Sequence, residues 1–435
     1  VSVKSPAIWG RVVPIILSNI TVPLIGAVDT AVMGHMESAA YLGAVAIGSL
    51  IFDYLYWGFG FLRLSTTGLC AQALGRGDGD EVRALFARAL VFALCASLLL
   101  WLAQSYIFVL AASLIKASVE VETLAETYFH IRIWSAPAAL INYILIGWML
   151  ACKDTRSVLV QQVLTNLINV VLDIWFVMGL GYGVEGVALA TLIAQYCGLG
   201  MGLILMRRNL GRIDGVWRQD LIFVASRFKK LLSMNSDLFV RTVCLLSAFA
   251  WFTAQGAKMG DVVLAANAIL LQFLMFASYS LDGFAHAVEV LCGHGAGKKD
   301  RAAFKQAVRA TTGFSAMSAV AISVFYLLFG DVLINLFSNL PEVLAMAKTY
   351  LIWAIVLPVV AVGAFQLDGI YLGLTQTQVL RNMMVLSLMI YIPLSLFLSD
   401  LWGNHGLWAA FTIFMGLRAI TLGMMYVRVE KKAFV

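Results

Sequence analysis

Two carboxylates stand among apolar neighbours. Asp29 lies in Pro23-Leu24-Ile25-Gly26-Ala27-Val28-Asp29-Thr30-Ala31-Val32-Met33-Gly34, within a hydrophobic run that starts near Ile8. Asp173 closes the segment Asn166-Leu167-Ile168-Asn169-Val170-Val171-Leu172-Asp173. A charge at mid-bilayer costs roughly 3 kcal/mol on insertion scales and about 10 or more in simulations, so an acid so placed marks a candidate functional site. On a helix, Asn166, Asn169 and Asp173 share one face at i, i+3 and i+7. Thr191 follows in the next apolar run. If Asp29 and Asp173 face one pocket, like charge raises at least one pKa and desolvation raises both. One acid then holds a proton near neutral pH and exchanges it with bulk water when the pocket opens. The amides and the hydroxyl supply hydrogen bonds, or oxygens for Na⁺. The competing reading is a structural polar network between helices.

A second cluster lies in the other half. Asp282, His286 and Glu289 fall at i, i+4 and i+7, with Asp368 and Arg241 in separate apolar runs. Here an acid can pair with His286 or Arg241. A structural ion pair and a substrate or second-lobe proton site are equally good readings of these five residues. Other chemistries find no support. Gly293-His294-Gly295-Ala296-Gly297-Lys298-Lys299 is one residue short of a phosphate loop and has no Ser or Thr after the lysine, so no ATP site is expected. The six cysteines are scattered with no CxxC pair and read as small buried hydrophobes. There is no H-E-x-x-H and no Asp-rich diphosphate motif, so the chain is not read as an intramembrane enzyme. No cofactor is expected.

The elements that must position these groups are membrane helices. The 435 residues are 61% hydrophobic and 12% charged, with mean hydropathy +0.89. Soluble domains carry about 25% charged residues, so the chain is a polytopic membrane protein. The net charge of +6 comes from basic loops and implies no nucleic acid. Spans need about 20 apolar residues. Twelve are expected, at 8–34, 41–74, 84–112, 123–151, 157–181, 185–207, 229–256, 262–296, 303–330, 342–372, 379–400 and 405–427. With the N-terminus inside, 23 of the 30 Lys and Arg fall in inside loops, three outside and four within spans. The positive-inside rule then places both termini in the cytoplasm. The first run is too long for a signal core and lacks a cleavage site, so it reads as a mature span.

The two halves repeat. Leu42 and Leu264, Cys70 and Cys292, Tyr128 and Tyr350, Gly147 and Gly369, and Thr155 and Thr377 are each 222 residues apart; Gly186 and Gly406 slip to 220. The expected architecture is all-α, with twelve transmembrane helices in two six-helix lobes. Since six is even, the lobes are related by a pseudo-two-fold axis along the membrane normal. The lobes are 1–208 and 229–435, with a basic cytoplasmic linker at 209–228. Pro14 and Pro23 give the first span two bending points.

At several of these places the sequence resembles the multidrug and toxic compound extrusion (MATE) family, most of all its bacterial DNA-damage-inducible (DinF) branch. The likeness is carried by Pro23-to-Gly34, Leu62-Arg63-Leu64-Ser65-Thr66-Thr67-Gly68-Leu69, Asn169-to-Asp173, Leu281-to-Glu289, Leu367-Asp368-Gly369 and Gly403-to-Trp408. The resemblance implies a cation-coupled antiporter, driven by H⁺ or Na⁺, that exports amphiphilic or cationic drugs by alternating access. It implies an amino-lobe cation site at Asp29, Asn169, Asp173 and Thr191. It also implies a bacterial cytoplasmic (inner) membrane protein, read here as a monomer. One departure is that span seven offers Gln255 but no glutamate, which argues against a second Na⁺ site of the kind other branches have. The alternative is a flippase for a lipid-linked or other large anionic substrate, for which Arg63, Arg132, Arg241 and Arg418 would have to converge.

Overall fold

The computed structural model describes residues 13–15, 17, 39–115 and 117–434. Asp29, Pro23 and nearly all of the first expected span lie outside the described residues. Among the described residues there is no strand, and eleven helical stretches are long and apolar enough to cross a membrane. Counted as spans two to twelve they are Ala40–Arg76, Gly79–Ser113, Val119–Ala151, Thr155–Gly179, Val184–Leu210, Ala225–Lys258, Asp261–Gly297, Arg301–Phe337, Pro341–Gly373, Thr377–Trp402 and Asn404–Phe434. Their outer faces keep large apolar side chains in contact with the surroundings, Leu99, Leu102, Leu328 and Met424 among them. Such a surface suits hydrocarbon rather than water. The chain is an all-α polytopic membrane protein.

Local chemistry explains where the helices start and break. Asp78 Oδ1 accepts from Glu81 N (3.0 Å), Asp154 Oδ1 from Ser157 N (3.1 Å) and Asp300 Oδ1 from Ala303 N (2.9 Å). Each satisfies an N–H that a helix start leaves orphaned. Span four tightens to a 3₁₀ turn at Ile133–Ser135, and Pro137 follows in the first turn of Ala136–Ala151. There its missing N–H costs nothing. Pro358 and Pro393 lie inside continuous helices.

The described chain forms two compact units, one over Val13–Leu231 and one that takes in Leu232–Val435. The 222-residue repeat is written in the backbone of each. Positive φ occurs at Gly77 (75°) and Lys299 (55°), at Lys153 (64°) and Thr375 (55°), and at Gly181 (72°) and Gly403 (57°). Members of each pair stand 222 apart. At Gly77 and Lys153 in one unit, and at Lys299 and Thr375 in the other, the helix closes with the same two bonds. Gly77 N donates to Leu74 O and Asp78 N to Ala73 O; Lys299 N donates to Ala296 O and Asp300 N to Gly295 O. This left-handed cap is common where a helix stops and the chain reverses. Close helix packing repeats as well. A Cβ on Gly147 would strike the carbonyl oxygen of Arg63, and one on Gly369 that of Ala285, again 222 further on.

Candidate functional site

In the amino unit, spans five and six are held together by a seam of polar side chains. Span five begins at Asp154, whose carboxylate accepts from Ser157 Oγ (2.6 Å) and from Asn209 Nδ2 on span six (2.8 Å). Burial works to raise the Asp154 pKa, but these donors and Ser157 N outweigh it and hold the carboxyl below its ordinary range. Further along, Gln161 Nε2 donates to Asn142 Oδ1 (3.0 Å) and to Gly198 O (3.1 Å), and Asn142 Nδ2 to Gln195 Oε1 (3.1 Å). Gly198 and Gly202 make the approach possible, because a Cβ on either would run into Thr165 or Gln161. Small residues one turn apart let membrane helices pack backbone to backbone.

The seam ends at the residues singled out in the sequence. Asn169 Nδ2 donates to Thr191 Oγ1 across 3.3 Å. Asn169 and Thr191 are 2% and 8% exposed, and Asp173, one turn beyond Asn169, is 0% exposed. Asn169 Oδ1 is buried with no donor among the described residues, which leaves an oxygen for a proton donor or a cation. Asp173 is the last α-helical residue of its span. From Ile174 to Gly179 the helix widens to π, and Leu180 N reaches back five residues to Trp175 O (3.0 Å). Such widened turns recur at functional sites. Asp29, the expected partner, lies outside the described residues.

In the carboxy unit, Asp368 Oδ2 accepts from Arg241 Nη2 and from Arg418 Nη2, the latter at 2.7 Å. Arg418 is 3% exposed and Asp368 5%. Asp282, half-buried, is near enough for its charge to act on Arg418. His286 Nδ1 lies 3.5 Å from Glu289 Oε2, one turn along the same helix, and Glu289 is fully buried. The five residues therefore divide into a His286–Glu289 pair and an ion cluster at Asp368. Of the four arginines within spans, Arg241 and Arg418 meet, at a carboxylate. Gly293-to-Gly297 is the last turn of span eight, which is no place for a phosphate loop.

Two residues carry more than the sequence pattern assigns them. Spacing marks Arg418 only as a span arginine, not as the partner of Asp368. Asp53 stands in Ile51-Phe52-Asp53-Tyr54-Leu55 on span two and is exposed; the rule that singles out Asp29 applies to it equally. Nearby, Arg132 lies over the Phe52 ring at 4.8 Å and donates to Tyr128 Oη at 2.6 Å. Among the described residues no three His, Cys, Asp or Glu gather as a metal site.

The MatE family model matches residues 14–175 and 238–397. The chain belongs to the MATE family. It is 39% identical over 424 residues to the DNA damage-inducible protein F of Escherichia coli K12, covering 97% of this chain and 92% of that one. It is 25% identical over 453 residues to the probable multidrug resistance protein NorM of Rhizobium meliloti, covering 97% and 92%. Its fold matches the outward-facing conformation of a multidrug resistance MATE transporter of the MOP superfamily, with TM-score 0.87 at 18% identity over 98% and 96% of the two chains. MATE folds have twelve helices in two lobes. This MATE chain is a multi-pass membrane transporter of a drug-efflux family, not an enzyme; the family uses ion coupling and no cofactor.

Proposed function

We propose that this chain is a cation-coupled antiporter that exports amphiphilic or cationic compounds from the bacterial cytoplasm by alternating access. Asp29, Asn169, Asp173 and Thr191 form the coupling site, and H⁺ or Na⁺ is the coupling ion. The supporting observation is the 3.3 Å hydrogen bond from Asn169 to Thr191 beside the fully buried Asp173. A carboxylate so enclosed is costly when charged and empty, and favourable once it holds a proton or a cation. Cation binding is thereby tied to whichever conformation encloses the acid. The π turn after Asp173 is the kind of local widening that recurs at functional sites, which supports placing the site here. The two six-helix lobes are 1–208 and 229–435, joined by the linker 209–228, and the coupling site belongs to the first. Both termini lie in the cytoplasm and the working unit is a monomer in the inner membrane.

In the carboxy lobe, His286 and Glu289 are the candidate second proton site. Arg241, Asp368 and Arg418 hold the bundle together, with Asp282 beside them. That pairing weighs against the flippase reading, which wants arginines open to an anionic substrate. Efflux of a fluorescent cation from proteoliposomes, under separately imposed pH and Na⁺ gradients, tests the assignment. Transport driven by one gradient and not the other names the ion. Transport indifferent to both overturns the coupling.

A further inference from the structure

A cavity of about 390 Å³ opens in the amino unit where span two ends, span three begins and the linker runs into span seven. Leu69 and Leu85 give it an apolar wall, while Arg76, Arg88, Arg227 and Lys230 face it with four positive charges. Only Asp78 and Glu81 oppose them among its lining residues. Both carboxylates are engaged. Asp78 caps span three through Glu81 N. Glu81 is shared between Arg88 and Arg227. Arg88 is fully buried and donates Nη1 to Leu221 O (3.2 Å), yet its Nε meets no acceptor among the described residues. Arg76 and Lys230 are in no ion pair among the described residues.

A buried guanidinium N–H without an acceptor, and two surplus cations lining the same cavity, call for an anion. A guanidinium pairs bidentately with the oxygens of a phosphate or carboxylate, and an ammonium adds a point charge. We propose that this cavity binds a phosphate group, gripped by Arg76 and Lys230 with Arg88 as the buried donor. The cavity is far larger than one phosphate ion, and its leucines suit the first acyl carbons of a phospholipid. Its position where three spans end puts it at headgroup depth. An anionic lipid and a free phosphate therefore share the chemistry, and they differ in what else they bring. Bound phosphate would bridge the turn at Gly77 to the start of span seven, and so restrain the linker. None of the four cations belongs to the coupling site.

Native mass spectrometry and thermal unfolding of the full chain in mild detergent separate the sources. Phosphatidylglycerol is compared with phosphatidylcholine, and inorganic phosphate with chloride at equal ionic strength. The comparison variant is Arg76→Gln with Lys230→Gln. Retention of phosphatidylglycerol over phosphatidylcholine, weakened about tenfold in the variant, supports a lipid site; the loss of two charge-assisted contacts accounts for that size. A rise in melting temperature with phosphate but not chloride, lost in the variant, supports a free-anion site. If the double variant does not fold, Lys230→Gln alone carries both comparisons, since its side chain is exposed. Equal response to phosphatidylcholine and chloride, or a response unchanged in the variant, overturns the proposal.

Discussion

Asn169 on span five and Thr191 on span six are joined by a hydrogen bond of 3.3 Å, one helical turn from a carboxylate that no solvent reaches. The bond fixes the rotation of span five about its axis at the level where Asp173 must present its oxygens. Thr191→Val removes the acceptor and keeps the shape. A buried hydrogen bond lost in this way costs about 1 kcal/mol. We expect a modest fall in thermal stability and a larger, several-fold fall in gradient-driven efflux. Asn169→Ala is expected to do the same. Melting and efflux measured on one preparation check this: equal wild-type efflux in both variants would remove these residues from the coupling site.

Asp368 between Arg241 and Arg418 makes the opposite forecast. Removing one member of a buried ion cluster strands the others and costs about 3–5 kcal/mol. Asp368→Asn leaves two guanidiniums facing each other, so its principal defect is expected in folding yield and melting temperature. Arg418→Met leaves Asp368 with Arg241 and is expected to be milder. Fluorescence-detected gel filtration after heating ranks the two. A fully stable Asp368→Asn protein with lost transport would move Asp368 from the scaffold to the site.

The repeat predicts paired sensitivities. Gly147→Ala and Gly369→Ala each drive a methyl group into a backbone carbonyl oxygen, of Arg63 and of Ala285. Overpacking of this kind costs about 1–3 kcal/mol. A Cβ on Gly200 would meet nothing within 4 Å, and Gly200→Ala is expected to be neutral or slightly stabilising. Melting temperatures of the three variants check the pattern, which fails if Gly200→Ala is as damaging as the other two.

Much of this is legible in the sequence, and the reasons are physical. Hydrophobic runs of bilayer length have few alternatives to a helix, so the spans from the second onward can be placed. Asn169 and Asp173 are four apart, which puts them on one face whatever surrounds them. The link to Thr191 needs the approach of span six at Gly198 and Gly202, which spacing alone does not report. The π turn is hidden because Ile174-Trp175-Phe176-Val177-Met178-Gly179 is equally apolar wound either way. Arg418 lies 50 residues from Asp368, and only tertiary packing brings them together. Lys153, Lys299 and Thr375 take left-handed conformations usually reserved for glycine, so their turns show no composition signal. Asp53 is visible by the rule applied to Asp29.

Acid should loosen the join between spans five and six. Asp154 is held below the ordinary carboxyl range by Ser157 and Asn209, against the effect of burial. A depressed folded-state pKa adds stability that is present above the unfolded value, about 3.9, and lost as pH falls through the folded one. Asn209→Ala removes one of the donors. Its melting temperature is expected to lie below wild type at neutral pH and to converge with it only in stronger acid, as pH falls through the depressed folded-state value and Asp154 becomes neutral in both. A gap that stays constant from pH 7 to acid would show that Asn209 acts through packing instead.

Everything proposed for transport turns on Asp173 taking up and releasing the coupling cation. The most direct test is gradient-driven efflux by Asp173→Asn in proteoliposomes, with insertion and melting temperature measured on the same protein. The amide keeps the size and the buried position but cannot titrate. A folded, inserted protein is expected, whose efflux no longer responds to an imposed pH or Na⁺ gradient. Efflux by Asp173→Asn at the wild-type rate under either gradient would contradict that role.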